Sequence, residues 1–246
     1  MKDNFSGQSI DYAKYRPTYP ATLYEYLFSL VATKDSAWDC GTGNGQIASK
    51  LADQFKRVYA TDISKNQLAN AIQKENIMYS CTPAEHTDFE HNSFNLITVG
   101  QAIHWFNFEK FYKEVNRTIA KNKGIIAVIG YGLNAIEPAV DTITHWFYKE
   151  LIGKYWDKER HYIDELYQTI PFPFAEIKTP SFESSFEWTL LEYLGYLSTW
   201  SAVQHYIKME GESPIPVIKS KLSAIWKEEE YKTVRFPILL RVGKMR

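Results

Sequence analysis

Gly41, Gly43 and Gly45 alternate with Thr42 and Asn44 directly behind Asp39, in the run Trp38-Asp39-Cys40-Gly41-Thr42-Gly43-Asn44-Gly45-Gln46. Glycine has no Cβ, so positive φ angles are open to it and a ligand can lie against bare main chain. Asp39 adds a negative charge suited to an ammonium group. Ile47, Ala48, Leu51, Ala52 and Phe55 then recur at helical spacing. The loop therefore runs from a strand into an amphipathic helix, the arrangement of nucleotide-type sites in open α/β sheets. The spacing is GxGxG, not the GxGxxG of dinucleotide enzymes, and there is no GK[ST] phosphate loop. A glycine-rich turn without a ligand is the plainer alternative.

Three further groups stand where such a site needs them. Asp62 comes about twenty residues after Gly41, at the end of the second expected strand, where a carboxylate can accept hydrogen bonds from both hydroxyls of a ribose. Its competing role is that of an acid favoured by the nearby helix N-terminus. Thr82-Pro83-Ala84-Glu85 makes a polar turn at the end of the third strand, able to border an adenine ring through Glu85 or backbone N–H groups. His104, at the exit of the fourth strand, carries an imidazole with an ordinary pKa near neutrality and is the best-placed general base. With Trp105 and Phe106 it can equally form a packed wall.

The elements that position these groups are readable from the alternation of short apolar runs with helical stripes. Ala37–Cys40, Val58–Thr61, Ile77–Cys81, Phe94–Gly100 and Ile125–Tyr131 read as five strands of a parallel sheet with right-handed crossovers. A lead helix within 20–31 carries Leu23, Tyr24, Tyr26, Leu27 and Leu30. Ser64 with Gln67 forms a capping signature before Leu68, Ala71 and Ile72. Asn107 can cap the stripe Phe108, Phe111, Tyr112, Val115 and Ile119. Beyond Gly132, roughly a hundred residues precede the last strand-like run, Val234–Val242. Five of the seven tryptophans, Trp146, Trp156, Trp188, Trp200 and Trp226, fall in this stretch. Most are expected to fill a core, and a minority to line an apolar pocket.

At 246 residues and 45% hydrophobic content, the chain is long enough for one large domain. Its formal net charge of -1 and pI of about 6.6 provide no field for gathering nucleic acid or an anionic membrane. The two cysteines, Cys40 and Cys81, exclude a disulfide framework and are expected as small buried hydrophobes. The six histidines are scattered, without CxxC or HExxH spacing, so no metal site is expected. No apolar run reaches membrane-spanning length and no secretory pattern opens the chain, which makes a reduced, cytoplasmic setting the default expectation.

Together, DCGTGNG, ATDIS with Asp62, CTPAE with Ala84 and Glu85, and SFNLITVGQAIHW resemble the class I S-adenosylmethionine-dependent methyltransferases, in the small-molecule branch called type 11. The likeness covers about residues 8–132. The leading YAKYRPTYP is similar to the N-terminal segment of the trans-aconitate methyltransferase-like subgroup. The resemblance implies an α/β, Rossmann-like fold with a seven-stranded, mostly parallel sheet in the order 3-2-1-4-5-7-6, strand seven antiparallel. Residues 31–135 and 232–246 would form the sheet core, 1–30 the lead region and 136–231 an aromatic-rich helical insertion on the substrate side, all in one domain. It also implies S-adenosyl-L-methionine as cofactor, held by Asp39, Gly41, Thr42, Gly43, Asn44, Gly45, Asp62, Ile63, Ala84, Glu85, Gln101 and Ala102. Tyr12, Tyr15 and Arg16 are its candidates for the methionine carboxylate. His104, Trp105, Tyr131 and Trp200 are the substrate-side candidates. Pro237 fits poorly within an internal strand, because proline donates nothing to a ladder, so a bulge or a later strand start is expected there.

The fourth strand lacks the [ND]PPY signature of amino-methyltransferases, and no Pro-Cys nucleophile comes after it. A small organic acceptor is therefore the leading expectation, with oxygen, nitrogen and carbon all open as the methylated atom and a carboxylate or hydroxyl among the candidates, with no nucleic acid or membrane partner and with monomer and homodimer both open. Methylation of tRNA or protein, a cofactor-binding protein without turnover, and a dehydrogenase are the alternatives.

Overall fold

The computed structural model describes residues 15–121 and 123–245. Their central feature is a sheet whose strands bury alternate residues on opposite faces. In β5 (Ile125–Tyr131), Ile125, Ala127 and Ile129 enter one apolar core while Ile126 and Val128 enter another. β1 (Ser36–Cys40) does the same, with Ala37 on one face and Trp38 and Cys40 on the other. All residues of both strands are buried, as expected of strands covered on both sides.

β2 (Arg57–Asp62), β3 (Ile77–Cys81) and β4 (Leu96–Gly100) complete the parallel part, which runs β3-β2-β1-β4-β5. β8 (Lys232–Lys244) pairs antiparallel with β5 from Ile125↔Lys244 to Tyr131↔Ile238. The outer edge of β8 is shared by two short strands, β6 (Ala175–Ile177) and β7 (Glu183–Trp188), both antiparallel to it. The expected seven-strand order is thus seen with its last position divided, giving eight strands. β6 and β7 come from the segment read as a helical insertion. Their polar, half-exposed residues carry no strong strand pattern, and pairing to β8 decides them.

The first core lies beneath α1 (Ala21–Ser29), α2 (Gln46–Leu51) and the helices contributed by 136–231, among them α5 (Pro138–Trp146), α7 (Leu190–Ser198), α8 (Ser201–Glu210) and α9 (Ile215–Leu222). Trp200 and Trp226 are buried in it, and Trp146, Trp156 and Trp188 pack against it half-buried. The second core lies beneath α4 (Phe108–Thr118), where Phe111 and Val115 are fully buried. Each contributes roughly 1.5–3 kcal/mol. Asn107 caps α4 as expected, its Oδ1 accepting from Lys110 N at 3.1 Å.

Three local expectations are corrected. β8 runs without interruption through Pro237, whose nitrogen faces the point where β5 ends. Its carbonyl accepts from Gly132 N at 3.0 Å and the pairing to β7 keeps one register as far as Glu183↔Pro237, so the strand does not start later, while on the other edge the register slips by one residue across Pro237, from Tyr131↔Ile238 to Ala135↔Arg235. α3 (Lys65–Ala69) is a short helix that buries Gln67, and Ile72 of its expected apolar face is exposed. Cys40 is buried, but Cys81 is exposed because β3 is the edge strand. Among the described residues no helix is long and apolar enough to cross a membrane.

Candidate active site

The carboxyl ends of β1, β2 and β4 meet at a cavity of about 140 Å³. This is the topological position where open α/β sheets bind ligands. The glycine loop forms its floor, with Gly41, Gly43 and Gly45 at φ angles of +64°, +56° and +79°. Gly41 is tightly constrained, since a Cβ there would lie 2.7 Å from Ala102 Cβ and 3.2 Å from Phe106 Cζ. Gly43 faces open space, the nearest atom to an added Cβ being Gln67 Oε1 at 3.9 Å. Gly45 turns the chain into α2 beneath Tyr79 and does not line the cavity.

Two carboxylates face this floor. Asp39 Oδ2 accepts from Thr42 Oγ1 at 2.6 Å and Ala48 N at 3.2 Å, and Oδ1 accepts from Thr98 Oγ1 at 2.8 Å. Burial nevertheless pushes its pKa up to about 6, since three neutral donors do not replace the lost hydration. Asp62 Oδ2 accepts from Gly43 N at 2.8 Å and Oδ1 from Ser64 N at 2.8 Å. The acid at the end of β2 thus fixes the glycine loop as well as facing the cavity. Thr42, Asn44, Ile63, Gln101, Ala102 and Arg16 line the same space.

A smaller cavity of about 40 Å³ adjoins the first and shares Arg16, Gln101, Trp105 and Tyr131 with it. Gln101 sits at φ +53°, a left-handed angle uncommon for a side-chain-bearing residue. Its amide clasps the end of β5, Oε1 accepting from Tyr131 N at 2.9 Å and Nε2 donating to Tyr131 O at 3.3 Å. Arg16 Nη1 donates to Tyr131 Oη at 2.6 Å. The far side of the smaller cavity holds His104, Trp156, Asp157, Arg160, Tyr196 and Trp200.

The structure therefore gathers Arg16, Asp39, Gly41, Thr42, Gly43, Asn44, Asp62, Ile63, Gln101 and Ala102 at one cavity, and His104, Trp105, Tyr131 and Trp200 at its neighbour. Others go elsewhere. Ala84 is buried in the second core, and Glu85 Oε1 accepts from Asn107 N at 3.0 Å at the start of α4; neither lines a cavity. The start of α4 draws this turn away from the cavity. Tyr15 packs against Gly195 of α7, and Tyr12 lies outside the described residues. Gln46, Ser64 and Gln67 line the first cavity without having been expected there, although the capping pattern at Ser64 already placed them beside Asp62. Arg160 was also missed. It is the one arginine between 136 and 231, a compositional signal in an otherwise aromatic and lysine-rich stretch.

His104 is buried, with Nδ1 3.4 Å from Tyr167 Oη. Burial first, then the charges of Arg160 and Arg16, push its pKa down to about 3. An imidazole so reluctant to bind a proton is a weak general base, which weighs against the expected catalytic role. The shift has a consequence for stability. Between about pH 6.5 and pH 3 only the unfolded chain protonates His104, so stability falls by about 1.4 kcal/mol for each unit that the pH is lowered. Asp39 acts in the opposite sense, because from about pH 6 down to about pH 4 only the folded state binds its proton. The two slopes offset in the native chain. In a His104→Gln variant the Asp39 slope stands alone. Its stability relative to wild type is expected to rise by up to about 1.4 kcal/mol per unit as pH falls from 6 to 4 in urea unfolding. A difference that is constant with pH would contradict a neutral, buried imidazole.

Among the described residues no group of His, Cys, Asp and Glu is arranged to hold a metal ion. Comparison with known proteins agrees with the geometry. Residues 38–128 match the family model described as a methyltransferase domain. A Dictyostelium discoideum protein named as a methyltransferase is 34% identical over 250 residues, spanning 98% of this chain and 95% of its own length. A Schizosaccharomyces pombe methyltransferase is 23% identical over 242 residues, spanning 96% and 93%. A solved structure from Anaeromyxobacter dehalogenans, described as a type II methyltransferase, superposes with a TM-score of 0.85 at 35% identity, covering 93% of this chain and 97% of that one. With a glycine loop between two carboxylates at the head of this sheet, and relatives that match it from end to end, the chain belongs to the class I S-adenosylmethionine-dependent methyltransferases.

Proposed function

We propose that the protein transfers a methyl group from S-adenosylmethionine to an oxygen of a small organic acceptor, a carboxylate or a hydroxyl, seated in the smaller cavity. The observation that carries this reading is the pair of adjoining cavities with a common wall, one built for a nucleoside carrying an amino-acid tail and the other small and mixed aromatic and cationic.

The residues present fit the cofactor. Gly41 and Gly43 leave main chain bare where any side chain would intrude on the loop or its ligand. Asp39 offers a carboxylate to the methionyl ammonium, whose charge would draw its raised pKa back down. Each Asp62 oxygen accepts from a backbone N–H, and the carboxylate lines the cavity where a ribose hydroxyl would lie. Arg16, on the wall common to both cavities, suits the methionyl carboxylate. When bound, S-adenosylmethionine would supply an activated methyl on a cationic sulfur, which a carboxylate oxygen can take with no proton to lose and a hydroxyl oxygen only with release of its proton to water.

The chain's own part is alignment and exclusion of water. The Gln101 clasp on Tyr131 holds the common wall, and Trp105 covers it. A carboxylate acceptor needs no base, which accords with a His104 that is neutral at physiological pH.

S-adenosylmethionine and its demethylated product are each expected to raise the melting temperature by roughly 5–10 °C at about 100 times Kd. Transfer of a labelled methyl to a panel of small acids and alcohols is expected to yield base-labile product with the acids or base-stable ethers with the alcohols. A folded protein whose melting point moves with neither ligand would overturn the reading.

A further inference from the structure

The smaller cavity extends away from the wall it shares with the first, and Arg160 lines that part of it. It closes a single turn of 3-10 helix, Lys158–Arg160, with only 17% of its side chain exposed. Its guanidinium carbon lies 4.7 Å from the ring centre of Trp156 and 5.4 Å from that of Tyr148. Nε donates to Tyr148 Oη at 2.9 Å and lies 3.5 Å from Asp164 Oδ1. These contacts engage the Nε edge and a face of the group. Among the described residues neither terminal nitrogen donates a hydrogen bond, although the side chain lines the cavity.

A guanidinium stacked in place by two rings, with its terminal N–H groups unengaged, is preorganised to grip a planar oxyanion through two parallel hydrogen bonds. The other charges on the cavity wall favour the same occupant. Among the described residues of the wall Arg16 is the second cation and Asp157, 3.8 Å from His205 Nδ1, the one carboxylate, while burial keeps His104 neutral at physiological pH. The balance is positive. Arg16 lines both cavities, whereas Arg160 lines only the smaller one, so the anion it reads lies away from the atom that faces the methyl donor.

We propose that Arg160 is a specificity-determining residue that binds a carboxylate at the end of the acceptor remote from the methylated oxygen. The acceptor is then a small diacid or hydroxy acid, anchored at one end by Arg160 and presented at the other against Trp105 and Gln101. This inference rests on the smaller cavity being the acceptor site, and its test separates the two.

Wild-type protein saturated with S-adenosylhomocysteine is titrated calorimetrically with malonate, succinate and glutarate, and with succinamide as an uncharged control. At least one diacid is expected to bind and the diamide not to. Arg160→Gln is expected to weaken that diacid by about 20-fold or more, and Arg160→Lys by less, since a point charge replaces the fork. Affinity for S-adenosylhomocysteine is expected to stay within about twofold in both variants, because Arg160 does not line the first cavity. The lysine variant keeps the charge and carries the test should the glutamine variant fail to fold. Absence of diacid binding to the loaded wild type, or equal diacid affinity in wild type and variants, would overturn the proposal while leaving the cofactor site standing. Failure of S-adenosylhomocysteine itself to bind would instead remove the reading on which it rests.

Discussion

Asp62→Ala is expected to weaken S-adenosylhomocysteine binding by at least about 100-fold, equivalent to roughly 2.7 kcal/mol. Two separate losses add. The ribose hydroxyls lose their acceptor, and the loop that receives the rest of the ligand loses its tie, since Asp62 holds Gly43 N and Ser64 N at 2.8 Å each. The second loss also acts without ligand. Two backbone donors left half-buried without an acceptor destabilise the fold by about 1–3 kcal/mol. Asp62→Asn separates the effects, because one amide oxygen can still accept while the NH2 group faces a second donor. Its stability should fall by a similar amount while some ligand affinity survives. Calorimetric titration and urea unfolding of both variants check this; an Asp62→Ala protein that retains wild-type affinity would exclude the carboxylate from the site.

Gly41→Ala is expected to be strongly destabilising although it adds a single methyl group. At φ +64° a Cβ is strained by about 1–2 kcal/mol. The same atom would meet Ala102 Cβ at 2.7 Å, an overpacking that adds about 1–3 kcal/mol because both positions belong to backbone at strand exits. A total of about 2–5 kcal/mol, with loss of measurable cofactor binding, is expected. The steric share has a direct test. Ala102→Gly removes the opposing carbon, so the Gly41→Ala, Ala102→Gly double variant should regain part of the stability, leaving the φ strain behind. Strict additivity of the two substitutions in urea unfolding would mean that the two carbons do not meet.

How much of this could be read without the structure depends on how local each feature is. The glycine loop, Asp39, Asp62, Gln101 and Ala102 were all legible, because each sits within a few residues of a strand end and the sheet order brings those ends together. Ser64 and Asn107 were legible as caps for the same reason. Ala84 and Glu85 line neither of the two cavities, because a turn two or three residues beyond a strand is aimed by the element it leads into. Here the start of α4 takes the Glu85 carboxylate. The place of His104 at the exit of β4 was legible, and its protonation behaviour was not. Its position comes from β4, but its pKa comes from burial and from Arg160, 56 residues further along the numbering.

The sequence by itself determined the parallel sheet, the direction in which its strand ends open and the chemistry of the cofactor floor. These depend on two-residue and 3.6-residue periodicities and on residues that must be glycine or acid at fixed offsets from a strand. Only the tertiary structure decided the acceptor side. β6 and β7 exist because β8 offers them an edge, Pro237 passes because its missing donor faces the end of β5, and Arg160 reaches the cavity because Tyr148 and Trp156 stack it there. Each of these is a contact between segments far apart in the chain, and no local pattern encodes a surface that forms only when distant segments pack.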